Sequence, residues 1–185
     1  MLVVLLFCTP ACAEPPNKEM NQAQGAIDGA RAAGADQYAA AELAAAVDAL
    51  KRSEDAVAQR DYRLALNHAI DSRARAQSAA KQAAEARAKA RGDAERLVAE
   101  AGAVLAKARE RLQDPSLARS ARRGVAEARR VVAAAEKSMQ DARAALVAND
   151  YTRAATVAAR VSKEIPAVLK TIDAADAPSP SRRRR

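Results

Sequence analysis

Few side chains in this sequence of 185 residues have the types and spacing that catalysis or metal binding requires. The single histidine, His68, lies near Asp71, but a zinc site takes three or four ligands and no second histidine is present. The adjacent carboxylates Glu54 and Asp55 lie in a polar stretch that gives no sign of an enclosed cleft for acid–base catalysis. We therefore predict no catalytic residue, no metal site and no cofactor, and we expect a protein that is not an enzyme.

Both cysteines lie near the amino terminus, in a segment typical of protein export. Residues 2–8 are continuously apolar, which is too short for the roughly 20 residues that span a bilayer but suits a signal peptide. Two processing sites compete. Ala11-Cys12-Ala13 fits a signal peptidase that leaves Glu14 first, whereas residues 9–12 resemble a lipobox in which the Cys12 thiol takes a diacylglycerol. Residues 1–13 are thus predicted to be an export or lipoprotein signal, and neither product can form an internal disulfide.

Two Asp-Tyr pairs, Asp61-Tyr62 and Asp150-Tyr151, form a weak internal repeat in which residues 56–69 align with residues 145–158. An aspartate at the start of a helix accepts hydrogen bonds from amide groups that have no partner inside the helix. The adjacent ring is large enough to fill the gap between two helix ends. We predict that these four residues have a structural role at two helix turns.

The basic residues give the chain a formal net charge of +8, and half of it comes from the last four residues. Elsewhere acidic and basic residues alternate, as in Lys81, Glu85 and Lys89, which is typical of a solvated helix surface. This pattern and the scarcity of aromatic side chains disfavour nucleic-acid binding. Residues 176–185 are predicted to be a disordered basic tail that either keeps the chain soluble or contacts an anionic surface through Arg182, Arg183, Arg184 and Arg185.

Alanine dominates the composition, with 53 residues against one Phe, three Tyr and no Trp. Alanine is the best helix former, and a sandwich, barrel or α/β core would need more bulky side chains to reach native packing density. The composition therefore predicts an all-α fold, an elongated antiparallel helical bundle or long coiled-coil-like hairpins with disordered termini.

Turn residues divide the chain into helices. The first is expected over about 18–33 and ends at Gly34, and the second, capped by Asp36, runs over about 37–59. The third begins after Asp61 and extends to about residue 113, with Gly92 as a point of kinking or breakage. Residues 14–113 are predicted to form one Ala-rich hairpin region and residues 114–175 a second hairpin.

The fourth and fifth helices belong to that second hairpin. The fifth starts after Asp150 and is expected to bend at Pro166. The fourth carries a heptad seam of alternating small and large residues: Val125, Ala128, Val132, Ala135, Met139, Ala142 and Leu146.

The motifs of the first hairpin region resemble those of a known family. The run Ala-Arg-Ala-Ala-Gly-Ala-Asp-Gln-Tyr-Ala-Ala-Ala-Glu-Leu at 30–43, then Ala49-Leu50 and Arg60-Asp61-Tyr62-x-x-Ala65, is similar to the domain of unknown function 4398. The resemblance covers about residues 12–90. It implies Ala-rich helical hairpins behind a lipoprotein or export signal in Gram-negative bacteria, an envelope location and no known reaction.

Together these observations favour a non-enzymatic envelope protein. We expect it in the periplasm or at the inner leaflet of the outer membrane, as a scaffold or adaptor that binds a protein partner through a helix face, with a possible lipid anchor. The alternative is a cytosolic basic helical protein that binds nucleic acid.

Overall fold

A computed structural model describes residues 14–114 and 122–176, and all regular structure within these ranges is α-helical. The prediction of an all-α fold is confirmed. The predicted signal with Cys12, and the basic tail from residue 177 with its four terminal arginines, lie outside the described residues. The helices are α1 (Asn17–Ala32), α2 (Ala35–Tyr38), α3 (Ala40–Ala58), α4 (Tyr62–Leu112), α5 (Arg122–Val147) and α6 (Tyr151–Asp176).

The described residues divide into two compact units, one up to Arg87 and one from Ala88 onward. This division falls inside α4, whereas the sequence suggested a division near residue 114. Helix α4 continues through Gly92 without a break. Helix α6 likewise continues through Pro166 and ends at Asp176, the first residue of the predicted tail.

The turn after α1 shows where the sequence prediction was wrong. Gly34 has a φ of 90°, the left-handed conformation expected of a residue that ends a helix. Asp36, however, does not cap a long second helix. It lies in the first turn of the short helix α2, which restarts directly after Gly34, and the irregular backbone of Ala39 separates α2 from α3.

The first unit is built around α3 and the first half of α4, whose facing residues are small and buried. Two serines cross-link these helices: the Ser53 hydroxyl donates to the Ala65 carbonyl at 2.7 Å, and the Ser72 hydroxyl donates to the Ala46 carbonyl at 2.8 Å. Helix α1 packs on this pair mainly through Ile27 and its neighbouring alanines. Small side chains let the two backbones approach until a hydroxyl reaches the opposite helix.

The second unit consists of α5, α6 and the second half of α4 around one apolar core. The seam predicted on α5 is buried from Val125 to Ala142, and Leu146 at its end is half-buried. Helix α6 contributes mainly Val161, Ile165 and Ile172. Helix α4 contributes Val98, Ala101, Leu105, Ala108 and Leu112.

Candidate functional site

The two Asp-Tyr turns begin α4 and α6 with the same hydrogen bond. The Asp61 carboxylate accepts a hydrogen bond from the Leu64 amide at 2.9 Å, and the Asp150 carboxylate accepts one from the Arg153 amide at 3.0 Å. Each aspartate therefore lies at an N-cap, where it satisfies an amide that has no partner inside its helix.

The residue before each aspartate is left-handed. Arg60 and Asn149 both have a φ of 61°, and the next amide closes the turn on the preceding helix: Asp61 donates to Ala56 and Asp150 to Ala145, each at 2.9 Å. Asparagine tolerates this conformation well, whereas arginine does not. The sequence repeat thus encodes one backbone shape twice.

The two tyrosines differ in their surroundings. The Tyr151 ring is buried against Ala94, Ala145 and Ala154, and its hydroxyl donates to the Asn149 side chain at 2.7 Å. The Tyr62 ring is half-buried. These contacts join helix ends.

The acidic residue near His68, Asp71, forms ion pairs with two arginines. Asp71 binds the Arg75 guanidinium at 3.1 Å and lies 3.8 Å from Arg52. The hydrogen bond to Asp71 raises the pKa of Arg75. Within the described ranges, no three His, Cys, Asp or Glu side chains are grouped as a metal ion would require. Glu54 and Asp55 are exposed on α3.

An open groove between α4 and α5 is the clearest candidate binding surface. It consists of two adjoining pockets of about 300 and 410 Å³, which share Arg109 and Glu136. Its floor is apolar and formed by core side chains: Leu105, Leu112, Val132 and Met139. A shallow, open groove of this kind suits a helix better than an enclosed small molecule.

The walls of the groove repeat every seven residues. On α5 the lining residues Arg129, Glu136 and Arg143 lie one heptad apart, and on α4 so do Gly102 and Arg109. The Arg109 guanidinium pairs with the Glu136 carboxylate across the groove at 3.1 Å. This surface was not predicted from the sequence, although Arg129, Glu136 and Arg143 each directly follow a core position of the α5 seam.

None of the helices described here has an apolar stretch long enough to cross a membrane.

Comparison with known proteins identifies one part of the chain. Residues 18–95 match the family model described as Domain of unknown function (DUF4398), which confirms the family suggested by the motifs. The match runs from α1 into α4 and ends before Gly102, so the α4–α5 groove lies outside it. No curated protein and no solved structure shows significant similarity to the chain.

Proposed function

We propose that this chain, whose residues 18–95 form a domain of the DUF4398 family, is a non-enzymatic envelope protein that acts as a helical scaffold or adaptor. It works in the periplasm of a Gram-negative bacterium, either free or attached to the inner leaflet of the outer membrane. The observation that carries the binding role is the α4–α5 groove, which leaves one side of a packed helix pair open to a partner.

Export is supported by the amino-terminal sequence. A short apolar run followed by small residues and then by polar chain matches the apolar core and the cleavage region of a signal peptide. Cys12 decides between the two forms of the mature protein. If it is lipidated, the chain is attached to a membrane by its first residue, and if it is removed, the chain begins at Glu14.

The test is to fractionate cells that express the full chain and to measure the intact mass of the recovered protein. A mature chain that starts at Cys12 with a diacylglycerol, or one that starts at Glu14, supports the proposal. An unprocessed chain in the cytoplasm overturns it.

Cysteine variants sharpen this test because the two cysteines offer a matched pair. For a lipoprotein, Cys12→Ser abolishes membrane association and lipid mass, while Cys8→Ser in the removed segment changes neither. For a soluble periplasmic protein, both variants are released at Glu14 like the parent chain.

The second candidate function, nucleic-acid binding, is favoured by the net charge of +8 and the terminal arginines. It predicts an unprocessed chain that is retained on DNA, with a retention that falls steeply as salt rises. The fractionation experiment therefore separates the two candidates before any binding is measured.

A further inference from the structure

We propose that the α4–α5 groove binds an acidic amphipathic helix, which packs as a fourth helix on the second unit with carboxylates two heptads apart. This inference rests on the proposed scaffold function, because it names the class of partner that the scaffold binds. It does not depend on export.

The shape of the groove fits a helix. Its walls carry several small residues, Gly102 and Ala106 on α4 and Ala133 on α5. A Cβ atom placed on Gly102 would meet nothing within 4 Å, so this wall is open to a closely packed neighbour. From Arg129 to Arg143 the α5 wall extends about 21 Å at 1.5 Å per residue, enough for four turns of a docked helix.

The charged residues that line the groove determine which charges a docked helix needs and how far apart they must lie. Arg129 and Arg143 are exposed, and neither has an ion-pair partner among the described residues. The two acidic residues that line the groove are already paired: Glu136, midway between the two arginines, with Arg109, and Asp114 with Arg111. A helix in the groove is therefore complementary when it presents carboxylates at positions i and i+14 and a neutral residue at i+7.

This pattern favours a helix over other polyanions. A lipid surface or a nucleic-acid backbone would present closely spaced negative charges to Glu136 as well as to the two arginines. Neither would pack against the small, accessible residues of the groove walls, Gly102, Ala106 and Ala133. A helix that lies over the Arg109–Glu136 pair, with one apolar stripe and two acidic positions, is complementary both to these small residues and to the two arginines.

The experiment uses the processed chain and two labelled synthetic helices of 24 residues. Both have an Ala/Leu stripe, and they differ only at positions i and i+14, which are Glu in the acidic probe and Lys in the basic probe. Fluorescence anisotropy at low salt is expected to show saturable binding of the acidic probe and about tenfold weaker binding of the basic one.

A charge swap then tests the site itself. The double variant Arg129→Glu/Arg143→Glu should lose about tenfold in affinity for the acidic probe and gain affinity for the basic one. The matched control, Arg160→Glu/Lys163→Glu, reverses two exposed charges on α6 outside the groove and should leave the affinity within about twofold. Circular dichroism verifies that every variant is folded.

Three results would overturn the inference. The first is equal or undetectable binding of the two probes. The second is an affinity that the groove swap leaves unchanged. The third is a dimer in sedimentation equilibrium that Arg129→Glu/Arg143→Glu dissociates, which would make a second copy of the chain the occupant. None of these results bears on export, which fractionation tests separately.

Discussion

At the scale of single residues, the most informative side chains are two serines that carry no chemistry. Ser53 and Ser72 are fully buried in the first unit, and each donates to a carbonyl of the opposite helix. In the sequence they are ordinary polar residues within helical stretches. They were not predicted to be buried because the packing of α3 against α4 depends on which alanines face each other, and that register is a tertiary property.

Removing either hydroxyl should weaken the first unit. We expect Ser53→Ala and Ser72→Ala each to lower the free energy of unfolding by about 1 kcal/mol, the net value of one hydrogen bond. Urea denaturation followed by circular dichroism measures this change. Ser78→Ala is the control, because Ser78 only accepts an exposed hydrogen bond from Gln82. Equal effects at Ser72 and Ser78 would contradict the cross-linking role.

The left-handed residues of the two turns should respond differently to glycine. Arg60→Gly is expected to raise the free energy of unfolding by about 1 kcal/mol, because glycine adopts a positive φ without the steric penalty of a side chain. Asn149→Gly should not stabilise the chain, because asparagine tolerates this conformation. Its side chain also accepts a hydrogen bond from the Tyr151 hydroxyl, which glycine would lose.

Thermal unfolding of these variants gives the comparison. Arg87→Gly, at an exposed position in the interior of α4, should instead destabilise the chain by about 1 kcal/mol. A loss of stability in Arg60→Gly would mean that the arginine side chain has a role that its backbone conformation does not reveal.

At the scale of elements, α4 is continuous at Gly92, where the sequence left open whether the helix is interrupted. Glycine weakens a helix by about 1 kcal/mol relative to alanine, so Gly92 suggested a kink or a break. Two ion pairs accompany the unbroken helix here: Arg91 with Glu95 at 2.7 Å spans Gly92, and Arg96 with Glu100 at 2.9 Å lies one turn further along. The hydrogen bonds to these two carboxylates raise the pKa of both guanidinium groups.

Replacing a glycine inside a helix by alanine should raise the stability of the chain, whereas replacing a glycine with a positive φ should lower it. Gly92→Ala is expected to stabilise by about 0.5–1 kcal/mol, because nothing lies within 4 Å of the new Cβ atom. Gly34→Ala should destabilise by about 1 kcal/mol, because its φ of 90° is strained for any other residue. Chemical denaturation measures both, and a destabilising Gly92→Ala would indicate a contact at that position.

The elements also show how far the sequence can be interpreted. The heptad from Val125 to Ala142 predicted the buried face of α5, because that spacing is a local property of one helix. The short helix α2 was missed, because the left-handed Gly34 lets a helix restart at once and Asp36 then no longer lies at its first position. The groove was missed because it depends on how two helices pack.

At the scale of the whole molecule, charge is divided unequally between the two units. Up to Arg87 the sequence has 10 basic and 11 acidic residues, and from Ala88 onward it has 21 and 12, which gives net charges of −1 and +9. The overall value of +8 therefore reflects the second part of the chain. Any contact with an anionic surface should involve that part.

Two sets of four neutralised charges test this asymmetry. Replacing Arg182, Arg183, Arg184 and Arg185 with Gln should lower the salt concentration that elutes the chain from a cation exchanger. Replacing Lys18, Arg31, Lys51 and Arg63 with Gln gives the same net charge. It should lower the eluting salt concentration less, because acidic residues already balance the basic residues of the first unit. Equal shifts for the two sets would show that only the total charge matters.

The boundary inside α4 has a consequence for how the chain folds and opens. No residue between Ala83 and Ala94 is buried, so this stretch of α4 has no core of its own. Its amides should exchange with solvent faster than those near Ala76 or Leu105, which hydrogen exchange with mass spectrometry can measure. Because starting a helix is the costly step and extending one is not, whichever unit folds first supplies the other with an initiated α4.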